Sequence, residues 1–435
     1  MGNVNTSTAQ MSGWGVRHIR QNYYWMKHFI FSISFIALFC SSNAQTNNKI
    51  VIAKIDSIQS AILHEERKIW IYVPDSVSAE DFAKQRYPVV YLFDAEAHFI
   101  SVVGMIQQLS EVNNNMVRPK MIIVGISNID RTKDLTPTHA DAGPPYFYGS
   151  SRTSGGGEKF ISFIEKELMP YIDSHYPTAP YKMLIGHSFG GLMVMQTFVH
   201  HTNLFNSYIC IDPSMWWDNQ HLLKEAKKAI YEKKFQGTYL FLGIANTMDD
   251  GMNIKKVLKD TSSITRHIRS LLALRSYFEI NKQNGLKYMV KYYGNDSHAS
   301  VPLITEYDAI HFIFDYYPLK ISFKDLSDTT TALVDKCEKH FSNVSKQMGY
   351  KVTSPEQLMN HQGYVALASK QFKKAERFFK FNIDNYPGSY NAYDSMGDYF
   401  EAIGDKLNAI SNFQKALSIK ENADTRKKLE ELQGR

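Results

Sequence analysis

The stretch Lys182-Met183-Leu184-Ile185-Gly186-His187-Ser188-Phe189-Gly190-Gly191 decides the reading of this chain. Its centre, Gly186 to Gly190, matches G-x-S-x-G, and a further glycine follows. The apolar run Met183 to Ile185 leads in, and Leu192 to Phe198 leads out with helical spacing. That context predicts strand, sharp turn and helix, with a serine hydroxyl lifted above the sheet at a nucleophile elbow. The glycines are a physical requirement, because strand and helix pass close to the turn and a Cβ there would clash. Ser188 is therefore the candidate nucleophile. The alternative for the same residues is a tight glycine-rich turn in a β-α unit.

Working outward, Ile69 to Val73 alternates as a strand should and stops at Pro74. Tyr87 to Phe93 and Met121 to Ile126 are continuous apolar runs, as expected of strands buried on both faces. Further strands are predicted over 207–211, 238–242 and 287–293, with helices over 160–171 and 303–316. Strands alternating with helices predict an α/β domain over residues 50–320, a mostly parallel, doubly wound sheet.

From about residue 355 only helical signals remain, and a repeat appears at a spacing of 34. Gly363 pairs with Gly397, Ala375 with Ala409, and Phe379 with Phe413. Small residues sit where two helices would cross, with an aromatic at the interface. The period and the run Tyr393, Met396-Gly397, Phe400, Ala409, Phe413 and Ala416 resemble tetratricopeptide repeats. Residues 325–435 are expected to form a small all-α domain, with 325–352 supplying an extra helix or docking the repeats. A peptide or protein partner at the repeats is what that resemblance implies.

The chain has 435 residues, 44% hydrophobic and 21% charged, with a net charge of +6. Three basic residues and no acid lie in 1–44, so the remainder carries only +3, which argues against a nucleic-acid partner. Lys27-His28, the apolar run Phe29 to Cys40 and Ser42-Asn43-Ala44 read as a secretory signal, with Met26 the expected true start. The alternative is a signal anchor, although the run falls short of the roughly 20 apolar residues of a spanning helix. An exported protein of the periplasm or cell envelope is expected. Cys210 and Cys337 are too isolated for a metal site, and no metal or other cofactor is predicted.

A serine hydroxyl needs a base and a group that orients the base. His298, in the polar turn Gly294 to Pro302 after the last predicted strand, stands in the place expected of that base. His200 and His201 follow the elbow too closely, and His311 falls within the last helix of the domain. The acid is expected after strand 238–242, where Asp250 is preferred and Asp249 is the alternative. Asp296 is a third candidate, and a Ser–His dyad without an acid stays open. The two oxyanion amides are expected from Phe189 and from the loop Phe93-Asp94-Ala95-Glu96.

Tyr91 to Asp94, Gly186 to Gly191, Asp212-Pro213-Ser214-Met215-Trp216-Trp217 and Asp296 to Pro302 occur in the order seen in the Putative esterase family, which the segment 50–318 resembles. That family includes siderophore, feruloyl and acetyl-xylan esterases. The resemblance implies an α/β-hydrolase fold with Ser188 as nucleophile, His298 as base and the Glu96 amide in the oxyanion hole, although Ala95 replaces the usual glycine. Trp216 and Trp217 resemble the siderophore-esterase branch, as pocket residues or as core. Arg131, with Lys133, is a candidate basic rim for an anionic trilactone or a solvated charged loop. The expected function is an exported serine carboxylesterase acting on a siderophore or on a glycan-linked acetyl or feruloyl ester. The alternative of another class is a non-catalytic scaffold that binds a protein through its repeats.

Overall fold

The computed structural model describes residues 50–74, 85–112, 116–141, 152–280 and 284–434. The segment read as a signal, 1–44, lies outside the described residues. Among those described, no helix is long and apolar enough to cross a membrane. The description below concerns residues 53–435, which form one unit.

The strands are β1 Lys54–Ser60, β2 Glu65–Tyr72, β3 Tyr87–Leu92, β4 Ile122–Ile126, β5 Thr178–His187, β6 Ser207–Ile211, β7 Tyr239–Ala245 and β8 Lys287–Tyr293. They form one sheet in the order β1-β2-β4-β3-β5-β6-β7-β8. The β1–β2 and β2–β4 pairs are antiparallel, and every pair from β4 to β8 is parallel. The helices that matter for the site are α1 Ala95–Ser110, α2 Arg131–Asp134, α3 Phe189–His200, α4 Trp217–Glu232, α5 Arg266–Ile280 and α6 Val301–Ile313.

Strand periodicity explains the two cores. In β3, Tyr87, Val89 and Tyr91 point to one face with Leu192 and Phe198 of α3, whereas Val90 and Leu92 point to the other with Phe99 of α1 and Ile310 of α6. Burying each such side chain contributes roughly 1.5–3 kcal/mol. A strand buried on both faces needs helices on both faces, and this is the doubly wound α/β-hydrolase arrangement that the sequence predicts.

Helix α7, Ala332–Met348, joins this sheet to the C-terminal helices. Its Val344 and Met348 lie in the sheet's second core, while Leu333, Val334 and Cys337 pack with Met359 and Phe378. Gln347 Oε1 accepts from the Tyr239 hydroxyl at 3.0 Å and from Lys287 Nζ at 2.8 Å. Beyond it, α8 Glu356–Ala368 and α9 Phe372–Asn385 form a hairpin, and α10 Tyr390–Ala402 with α11 Lys406–Ile419 form another. All bounds repeat at the 34-residue spacing. A Cβ on Gly363 would fall 2.5 Å from the Phe379 ring, and one on Gly397 would fall 2.4 Å from that of Phe413. The small residue and the aromatic therefore set the helix approach in both hairpins. Cys210 and Cys337 are free and buried.

Candidate active site

Parallel pairing of β3, β5, β6, β7 and β8 brings their carboxyl ends to one edge of the sheet, where open α/β folds bind ligands. Asp94 closely follows β3, Ser188 and Asp212 directly follow β5 and β6, Asn246 follows β7, and His298 lies five residues beyond β8. The candidate residues converge there from distant parts of the chain.

Ser188 occupies φ 60°, ψ −113°, a conformation that costs a non-glycine residue ~1–3 kcal/mol. Its surroundings hold it there. Its N–H donates to Ile211 O at 3.0 Å, and its carbonyl accepts from the amides of Leu192 and Ser214. A Cβ on Gly186 would fall 2.4 Å from Gly190 O, and one on Gly191 would fall 2.9 Å from Ile211 O. Gly186 and Gly191 are thus required by close backbone approach. Ser188 Oγ has Ser214 Oγ at 3.4 Å.

His298 Nδ1 lies 2.5 Å from Asp212 Oδ2. The His298 side chain is 41% exposed and Asp212 fully buried, so the imidazole is open to solvent and its partner is shielded. Asp212 adopts φ 41°, and its Oδ1 accepts the Ala245 amide at 2.8 Å. A second histidine, His267 in the first turn of α5, brings Nε2 to 2.8 Å from the same Oδ2. Burial by itself would raise the Asp212 carboxyl, but the charge and hydrogen bonds of the two histidines outweigh it and hold it well below the usual range.

The carboxylate at His298 is therefore not Asp250 or Asp249, which the sequence reading placed there. Both are exposed on the turn after β7. That turn meets the histidine loop through Asn246, whose N–H donates to Asp296 O at 2.8 Å and whose side-chain amide donates to Gly294 O at 3.0 Å. The Asp296 side chain accepts from Ser300 Oγ at 3.0 Å and so braces the loop.

The corner after β3 carries the other expected amide. Asp94 adopts φ 54° at the N-cap of α1, where its carbonyl accepts the Ala97 and His98 amides at 3.0 and 3.2 Å; the Ala95 and Glu96 amides come before them, at the positions a helix leaves without an intrahelical acceptor. A Cβ on Gly190 would lie 3.1 Å from Asp94 Oδ2, so the elbow and this corner are in contact. The Phe189 amide and the Ala95–Glu96 amides are thereby carried on abutting segments. The Glu96 carboxylate accepts the Asn128 amide at 3.1 Å.

Arg131 grips Asp94 through both oxygens, Nε to Oδ1 at 2.7 Å and Nη2 to Oδ2 at 2.9 Å, and it lies over the Phe189 ring at 5.4 Å. Burial would raise the Asp94 carboxyl, yet Arg131 and Asn128 hold it below its ordinary value. The guanidinium proposed for a substrate rim is thus committed to bracing the corner. Lys133 pairs with Glu65 at 3.2 Å. Trp216 and Trp217 pack around Phe189 in the core, and the Trp217 indole N–H donates to Thr138 O at 3.0 Å. Only 2% of Trp217 is exposed, which leaves it little surface for a ligand.

His187 lies between His298, at 4.5 Å between ring centroids, and His98, at 5.5 Å. Burial and the neighbouring histidines push it down to about 3, so its ring is a neutral wall behind His298. Asp212, His267 and His298 are the one group of three metal-ligand side chains among the described residues close enough to share an ion. Their atoms are already engaged with one another as hydrogen-bond partners. An open cleft of about 700 Å³ at the β8 edge is lined by Tyr239, Arg275, Lys287 and Tyr288, and by none of these candidates.

Sequence reasoning missed Asp212 as the partner of His298 and His267 as a second partner of Asp212. Asp212 had a signal, being the first residue after a buried parallel strand, at the sheet edge that carries the elbow. His267 had none, because 55 residues and a change of layer separate it from Asp212.

Residues 60–273 match the family described as Putative esterase. A siderophore triacetylfusarinine C esterase of Aspergillus fumigatus is 27% identical over 156 residues, 34% of this chain and 51% of that protein. The ferri-bacillibactin esterase BesA of Bacillus subtilis is 29% identical over 194 residues, 42% of this chain and 66% of that protein. The chain thus spans half to two-thirds of the length of these curated relatives. The crystal structure of an IroE-like serine hydrolase from Shewanella oneidensis superposes with a TM-score of 0.62 at 29% identity, covering 76% of this chain and 99% of that one.

Proposed function

Because residues 60–273 match the Putative esterase family, we propose that this protein is a serine carboxylesterase with a Ser188–His298–Asp212 triad. One observation carries the proposal: a serine in a strained elbow shares a sheet edge with a histidine held 2.5 Å from a buried carboxylate.

His298 Nε2 takes the Ser188 proton as Oγ attacks the ester carbonyl, while Nδ1–H stays on Asp212. The tetrahedral oxyanion is met by the Phe189 amide and by a first-turn amide of α1, Ala95 or Glu96. Each such donor lowers the barrier by about 3–4 kcal/mol. Collapse expels the alcohol, which receives its proton from His298. Water, deprotonated by His298, then attacks the acyl-serine, and the acid leaves as Ser188 regains its proton.

The substrate class is a siderophore ester, supported by the names of the curated relatives, with a glycan-linked acetyl or feruloyl ester as the alternative. The esterase domain occupies 50–320 and the helical domain 325–435. The 34-residue offset of the two hairpins supports a tetratricopeptide-like reading of the latter and a peptide partner there. Residues 1–44 direct export to the periplasm or cell envelope.

Turnover of p-nitrophenyl acetate and labelling by a fluorophosphonate test the enzyme reading. Both are expected in the wild type and absent in Ser188→Ala. A wild type that shows neither is a non-catalytic scaffold. Hydrolysis of catecholate trilactones against acetylated xylan then decides the substrate class.

A further inference from the structure

A triad needs one histidine on its carboxylate, and here there are two. Asp212 Oδ2 receives His298 Nδ1 at 2.5 Å and His267 Nε2 at 2.8 Å, while Oδ1 receives the Ala245 amide at 2.8 Å. His267 Nδ1 is buried without a hydrogen-bond partner, which places the ring's proton on Nε2, facing Asp212. The two imidazole planes stand at 90°, with centroids 5.4 Å apart, so the rings approach one oxygen from different directions. A carboxylate held by one amide and one histidine can still turn about its last bond. The third bond removes that freedom.

We infer that His267 is a positioning residue: it locks the Asp212 carboxylate in the orientation that receives His298. This rests on the triad proposed above. When that orientation is lost, the carboxylate supports the His298 imidazolium less. The titratable groups facing His298 are Asp212, His267 and His187, and His187 stays neutral across the working range.

The test compares three substitutions in the full chain. His267→Leu removes the donor. His267→Asn keeps a small polar side chain, but its amide nitrogen stands near the Nδ1 position and falls short of Oδ2. His267→Gln places an amide nitrogen near the Nε2 position. Leu and Asn are expected to lower kcat for p-nitrophenyl acetate by about 10- to 100-fold. KM should stay within about threefold, because only a transition-state interaction is lost. The acidic limb of the kcat/KM profile should move to lower pH in both, and Gln should recover most of kcat and the original limb.

Thermal melting identifies any variant that fails to fold, and the Asn–Gln pair still decides if Leu does. Wild-type kcat and an unmoved limb in Asn overturn the inference while Ser188→Ala remains inactive and the esterase reading stands. Equal losses in Asn and Gln with an unmoved limb also overturn it, since they show packing alone. A wild type without turnover removes the triad and this inference together.

Discussion

Replacing Asp212 by Asn is nearly isosteric, yet the local hydrogen bonds turn it into a severe lesion. Asp212 Oδ1 accepts the Ala245 amide at 2.8 Å, so a buried asparagine must present its carbonyl oxygen there. Its NH2 then occupies the Oδ2 position, facing His298 Nδ1 and His267 Nε2. Two donors cannot share that contact. His298 has to move its proton to Nε2, the nitrogen that must be bare to deprotonate Ser188. A wrong tautomer in an otherwise intact triad costs about 10⁴-fold in kcat, or ~5 kcal/mol. Asp212→Asn is therefore expected to fold, to retain KM within a few-fold, and to lose about 10³- to 10⁴-fold in kcat on p-nitrophenyl acetate. Asp249→Asn and Asp250→Asn should stay within twofold, a small change expected of exposed turn residues. An Asp212→Asn enzyme within tenfold of wild type would refute the reasoning, and a large loss in Asp250→Asn would restore that residue as the acid.

Arg131→Leu leaves the buried Asp94 carboxylate with Asn128 as its remaining side-chain donor. The expected loss is ~1–3 kcal/mol, discounted because the arginine side chain is 36% exposed. Melting should register that loss and kcat should fall with it, and Arg131→Lys, which lacks the bidentate fork, should only partly recover both; a fully wild-type Lys variant would sink the brace. Glu306 concerns pH. It is fully buried, neither carboxyl oxygen has a hydrogen-bond partner although His98 Nδ1 lies 3.8 Å from Oε1, and burial pushes it from 4.5 up to about 8. Between those values the folded chain keeps a proton that the unfolded chain has released, so stability falls as pH rises through that window and levels off above it. Glu306→Gln should match wild type near pH 4 and exceed it by a few kcal/mol at pH 8.5 in urea unfolding. A difference independent of pH would mean that Glu306 does not hold its proton.

Much of this protein is written in local pattern. The elbow, the two-sided apolar strands β3 and β4, the histidine loop after β8 and the 34-residue repeat each depend on residues close in sequence. Strand alternation, helical spacing and glycine at a close approach are all short-range rules, so a linear reading recovers them. They determined the α/β class, Ser188 and His298 as candidates, and the change to helices near the C-terminus. Three matters rested on tertiary structure. The carboxylate at His298 is Asp212 because parallel register brings the end of β6 to the histidine loop, whereas the carboxylates after β7 are exposed. Arg131 braces Asp94 because α2 approaches the β3 corner, a contact that no spacing along the chain encodes. His267 reaches the same oxygen as His298 from the first turn of α5. Charge partners within a buried site are selected by distances of 2.5–2.9 Å across elements far apart in sequence, and only the folded sheet sets those distances.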